Sequence, residues 1–100
     1  MNFDFDTEDL CKLYETGKTR KLTLPDEVYE KLISRLESLF AADSIKDIEN
    51  DVVMDLKRNK KEKNLISMRL VDGWRLEADL VCAENSDKID TVLIKNIIQP

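Results

Sequence analysis

The sequence predicts an α+β fold, with an N-terminal short strand and two helices packed on an antiparallel sheet of three to four strands. Two observations carry this. After a brief alternating start, apolar residues recur at helical spacing as far as about Ala42, and from Val52 onward the period shortens to two. A third sets the scale: 100 residues, 42% hydrophobic and 37% charged, with 2 glycines and 2 prolines, fit a single domain, 1–100, with one core and little room for linkers.

The first element is "NFDFD", Asn2 to Asp6, whose alternation reads as a strand. Thr7 then caps a helix with Glu8 and Asp9 in its first turn, where carboxylates are favourable. Leu10, Leu13 and Tyr14 form its apolar stripe, and Gly17 stops it as a left-handed residue. Pro25 opens the second helix, with Asp26 and Glu27 beside it. Val28, Leu32, Leu36 and Leu39 face the core, widened by Tyr29, Ile33 and Phe40. "ADSIKDIEND" reads as an acidic turn or short helical connector, and "KRNKKEK", Lys57 to Lys63, as a basic loop. Two strands follow, carrying Ile66, Met68 and Leu70, then Trp74, Leu76, Ala78 and Leu80. "KIDTVLIKNII" is a last, β-branched strand expected to be buried on both faces.

The hairpin register follows from which side chains must share a face. A two-residue Asp72-Gly73 turn would set Arg69 against Leu76 and mix charged with apolar residues. A three-residue loop, Val71 to Gly73, pairs Met68 with Leu76 and Ile66 with Ala78, all facing the helices. It also makes Arg69 and Arg75 cross-strand neighbours on the opposite face, with Ser67 opposite Glu77. Two adjacent guanidinium groups repel unless an anion sits near them. Glu77 is one solution, as an exposed salt-bridged cluster; a phosphate clamped by both arginines is the other.

Several classes of chemistry are excluded. The chain has no histidine, so imidazole-based zinc or iron sites and Ser-His-Asp or Cys-His devices are out of reach. Cys11 and Cys82 read as buried inert thiols. No apolar run approaches the ~20 residues that span a bilayer, and the acidic start lacks the layout of a signal peptide, so a cytoplasmic protein is expected. The net charge is −5, yet "KRNKKEK" gathers five cations opposed only by Glu62. Alone, such a run is either a solvated loop or the rim of a polyanion site. A local patch acts independently of net charge because screening confines fields to about 10 Å.

Three stretches together, "LYETGKTRK" (Leu13 to Lys21), "RLESLFAADSIKDI" (Arg35 to Ile48) and "SMRLVDGWRLE" (Ser67 to Glu77), resemble the HigB-type killer toxins of the RelE/ParE superfamily. The resemblance covers nearly the whole chain in order. It implies a ribosome-dependent mRNA endoribonuclease that needs no metal or other cofactor and uses the 2′-hydroxyl of the RNA as nucleophile. It also implies a cognate helix-turn-helix antitoxin as partner. By matching positions, the resemblance places Arg69 on the scissile phosphate and Lys57 on developing charge or a proton. Arg75 falls to phosphate positioning or structural support. Arg58, Lys60, Lys61 and Lys63 would add sequence-independent affinity for RNA. The chain departs from the family where the last strand commonly ends in Asp-Tyr-His: Asn96, Ile97 and Ile98 stand there, and neither isoleucine exchanges a proton or stacks on a base. Trp74, expected in the core, leaves few aromatics for the open face. The acidic patches also fit an alternative, a catalytically weakened RelE-fold module that binds an antitoxin or another protein.

Overall fold

The computed structural model describes residues 2–100. In chain order its elements are β1 (Asn2–Phe5), α1 (Glu8–Thr16), α2 (Asp26–Ala41), α3 (Ile45–Glu49), a 3-10 turn (Val52–Met54), β2 (Lys57–Arg58), β3 (Leu65–Arg69), β4 (Arg75–Cys82) and β5 (Ile89–Ile98). The architecture is α+β and consistent with a RelE-like fold.

The local signals of the first half act as expected. The Thr7 side chain accepts from the Leu10 N–H, and Gly17, at φ 80°, donates its N–H to the Leu13 carbonyl. A side chain at Gly17 would meet the Tyr29 ring at 3.1 Å. That close approach lets the Tyr29 hydroxyl donate to the Tyr14 carbonyl at 2.8 Å, satisfying an orphan acceptor at the end of α1. Helix α2 buries Val28, Leu32, Leu36 and Leu39 as its spacing predicts, and the acidic connector is the short helix α3, with Ser44 and Asp47 forming a capping box.

The sheet is larger than the sequence suggested. It has five strands in the order β1-β5-β4-β3-β2, antiparallel except for β1, which pairs parallel to β5. A central strand exposes backbone donors and acceptors along both edges. β5 meets β4 on one side, and β1 supplies the other side with Phe3 and Phe5 facing the core. The alternating apolar residues of "NFDFD" therefore report a sheet edge rather than a detached strand. β5 is not buried on both faces: Val92, Ile94 and Ile97 are buried, whereas Thr91, Leu93 and Lys95 are half-buried and Asn96 and Ile98 exposed. The helices cover one face only, and that inner face closes a single core with Leu36, Leu39, Met68 and Leu76 fully enclosed. Each such side chain contributes about 1.5–3 kcal/mol.

The β3–β4 register is the expected one, Ile66 with Ala78, Met68 with Leu76 and Arg69 with Arg75. The device that sets it differs in detail. Asp72 and Gly73 both adopt positive φ, 51° and 85°, and the Trp74 N–H bonds the Val71 carbonyl, as in a two-residue turn. The Leu70 N–H bonds the Trp74 carbonyl as well, so Leu70 and Val71 together oppose Trp74. This bulge restores the facing that a plain Asp-Gly turn would have inverted. Trp74 packs against the core but is only half-buried. Cys11 and Cys82 are free and also half-buried rather than buried. Partial burial, reinforced by the Glu15 carboxylate, raises the Cys11 thiol above its ordinary pKa.

Candidate nucleic-acid interface

The outer face of the sheet, left bare by the helices, is built from cross-strand rungs. One runs Arg69–Arg75–Ile98, the next Lys57–Ser67–Glu77–Asn96, and a third Leu65–Asp79–Leu93–Asp4. The period of two therefore brings Lys57, Arg69 and Arg75 onto adjacent rungs of one face.

"KRNKKEK" is not simply a loop. Its first two residues form the edge strand β2, pairing Lys57 with Ser67 and Arg58 with Ile66. The Asn59 side chain accepts from the Lys61 and Glu62 N–H groups, and the Asn59 N–H bonds Leu65, which folds the rest into a hairpin tip. Alternation along β2 separates the two cations. Lys57 shares the outer face with Ser67, while Arg58 turns to the helical side and pairs with Glu49 of α3. Lys60, Lys61 and Lys63 are exposed at the tip. Among the described residues none of these three lysines, nor Lys57 or Arg69, makes an ion pair. A cleft of about 130 Å³ lies between Lys57, Asn59, Ser67 and Glu77.

The two neighbouring arginines have different fates. Arg69 is exposed, and among the described residues its guanidinium has no ion-pair partner. Arg75 is held by four hydrogen bonds: Nε to Ser67 Oγ (3.0 Å), Nη1 to Asp55 Oδ2 (3.0 Å), and Nη2 to the carbonyls of Asp55 (2.7 Å) and Ser67 (3.2 Å). The Arg–Arg repulsion is thus relieved by Asp55, not by Glu77. Asp55 ends the 3-10 turn at φ 45°, a left-handed position that aspartate tolerates. The hydrogen bond from Arg75 outweighs an opposing effect of desolvation and, with lesser help from the charges of Lys57, Arg75 and Arg69, holds its carboxyl below the usual carboxylate range.

Beneath this face lies Arg35, 6% exposed. Its Nε donates to the Arg69 carbonyl at 2.8 Å and its Nη2 to the Val53 carbonyl at 3.4 Å. Among the described residues no carboxylate pairs with it. It ties the end of β3 to the turn that carries Asp55 and adds buried positive charge under Arg69. Sequence reasoning missed both residues. Arg35 had a signal, since it falls on the Leu32–Leu36–Leu39 stripe where a polar residue is out of place. Asp55 had none beyond its tolerance of positive φ.

At the end of β5, Ile97 is buried at 8% and belongs to the core, while Ile98 is 36% exposed beside Arg75. Only Ile98 borders the cations. Among the described residues no three His, Cys, Asp or Glu side chains gather as metal ligands, and no helix is long and apolar enough to cross a membrane. Fold and site together define a small α+β domain whose open face presents Lys57 and Arg69, unpaired among the described residues, beside the Arg75–Asp55 pair. No protein-family model matches the chain, and no curated protein matches it.

Proposed function

We propose that the protein is the toxin of a toxin–antitoxin pair, a ribosome-dependent mRNA endoribonuclease of the HigB type working in the cytoplasm. The observation that carries this reading is the convergence of Lys57 and Arg69, both unpaired, with the fixed Arg75 on one open sheet face, bordered by the lysine hairpin. Planar guanidinium donors suit a phosphodiester, and the exposed lysines of the hairpin tip suit its neighbouring phosphates.

In this reading Arg69 clamps the scissile phosphate. The 2′-hydroxyl gives up its proton to solvent as its oxygen attacks the adjacent phosphorus, the bond to the 5′-oxygen breaks, and a 2′,3′-cyclic phosphate and a 5′-hydroxyl result. Lys57 stabilises the developing charge and donates a proton to the leaving oxygen. Arg75, with four of its five N–H donors bonded to Asp55 and Ser67, supports Ser67 and the cation array rather than gripping substrate. Lys60, Lys61 and Lys63 lie against ribosomal or messenger RNA. Arg58, paired with Glu49, contributes less than the sequence suggested. The antitoxin would be a helix-turn-helix protein that covers this face.

A second reading, a RelE-fold binding module without cleavage, is favoured by Ile98, an apolar side chain at the position beside Arg75. One experiment separates the two: incubation of mRNA on programmed ribosomes with the folded, antitoxin-free protein. Cleavage that requires ribosomes and falls with Arg69→Ala or Lys57→Ala supports the nuclease. Intact mRNA with retained ribosome binding would leave the binding module.

A further inference from the structure

The basic face carries its own anion. The Asp55 carboxylate sits among Arg75, Lys57 and Arg69, and all three favour its ionised form. Its side chain is 42% exposed, so a carboxylate displaced from Arg75 would turn into solvent. Of the four hydrogen bonds that hold Arg75, only one goes to this carboxylate. The other three end on the Asp55 carbonyl and on Ser67, and they persist if the carboxylate swings away. Three of the four hydrogen bonds on Arg75 thus do not involve the Asp55 carboxylate, and what that side chain chiefly adds is charge. As a proton acceptor it is poorly matched, since the same cations that surround it weaken its basicity.

We infer that Asp55 is the resident counterion of the Lys57–Arg69–Arg75 cluster and determines its specificity, admitting chains of linked phosphates and rejecting single ones. A lone phosphate meets Asp55 repulsion at the cluster and gains nothing elsewhere. A phosphodiester or phosphoanhydride chain also reaches Lys60, Lys61 and Lys63, and the added contacts offset displacement of the carboxylate. The inference rests on reading this face as a phosphate surface, but it concerns the charge of one residue and not cleavage.

The test compares wild type with Asp55→Asn, which keeps an oxygen acceptor for Arg75 and suits the left-handed backbone. Asp55→Gly, which removes the side chain and also tolerates positive φ, guards against an effect of the amide. Binding of single-stranded RNA, inorganic polyphosphate and orthophosphate is measured across a salt series, with thermal unfolding to verify the fold. Both variants are expected to bind the two polyanions about fivefold more tightly at low salt. Their log–log salt slope should steepen by about 0.7, and orthophosphate should bind the variants but not wild type. Unchanged or weaker polyanion binding in both variants would overturn the inference and make Asp55 a buttress of Arg75. A gain for polyphosphate without any RNA binding would uphold the counterion and remove the nucleic-acid reading. RNA binding or cleavage identical in all three proteins would do the reverse. No binding of any of these anions would overturn both.

Discussion

The open face of the sheet has two ends of opposite character. Towards β2, Lys57 and Arg69 stand without ion-pair partners beside the Arg75–Asp55 pair. Towards β1, Asp6 and Asp79 flank Lys95, which reaches Asp6 at 3.7 Å and Asp79 at 4.0 Å, and Asp4 lies on the rung of Leu93 and Asp79. Both ends belong to one sheet, the first on β2, β3 and β4 and the second on β4, β5 and β1. A net charge of −5 describes neither. Fields in salt decay within about 10 Å, so a polyanion approaching the β2 end is shielded from the acidic one. Commitment of donors matters as well as charge. Arg69 and Arg75 are direct neighbours, yet one is available and the other is built into the scaffold.

The sharpest way to break this contrast is to truncate each arginine. Arg69→Ala is expected to lower ribosome-dependent cleavage by about 100-fold or more, while denaturant unfolding shifts by no more than about 0.5 kcal/mol. Arg75→Ala should lower cleavage too, but at a stability loss of about 1.5–3 kcal/mol, because hydrogen bonds to a charged group are lost and the Asp55 and Ser67 acceptors are orphaned. Equal stability losses for the two would erase the distinction.

Replacing Lys60, Lys61 and Lys63 together by Gln should flatten the salt dependence of single-stranded RNA binding by about 2 log–log units, near 0.7 for each lysine. An unchanged slope in filter-binding titrations would remove the hairpin tip from the interface.

Acid titration gives a smaller signal. The fold lowers the Asp55 pKa, first through the Arg75 hydrogen bond and then through Lys57. Its contribution to stability is therefore complete above the unfolded carboxylate value of about 4 and lost as pH falls through the lower folded value. Below about pH 4, thermal unfolding of wild type should decline more steeply than that of Asp55→Asn. Parallel curves would mean that Asp55 is not held ionised by its neighbours. At the acidic end, Lys95→Ala should change RNA affinity by less than about twofold, since exposed pairs contribute at most about 1 kcal/mol and lie outside the interface.

The sequence made some of this legible for definite reasons. The β3–β4 register could be read because a one-residue slip would put charged side chains on the core face, so only one pairing is acceptable. That argument also placed Arg69 beside Arg75. It could not reveal the bulge at Leu70 and Val71, because two turn geometries give the same facing of side chains. Strand β1 was legible from its alternation, but its parallel pairing with β5 was not, because that pairing joins opposite ends of the chain and alternation carries no record of a partner. The Asp55–Arg75 contact spans 20 positions and depends on a left-handed residue at the end of a 3-10 turn, a geometry without periodic signature. The different directions of Lys57 and Arg58 required knowing that a charge run begins as a strand. Composition alone made it look like a loop.

The most direct test is an amide chemical-shift titration of the isotopically labelled protein with a short single-stranded RNA. The account predicts perturbations at Lys57, Ser67, Arg69 and the Lys60–Lys63 tip, fading with added salt and absent around Asp4, Asp79 and Lys95. Perturbations centred on the acidic end, or none at RNA concentrations that saturate binding to ribosomes, would contradict it.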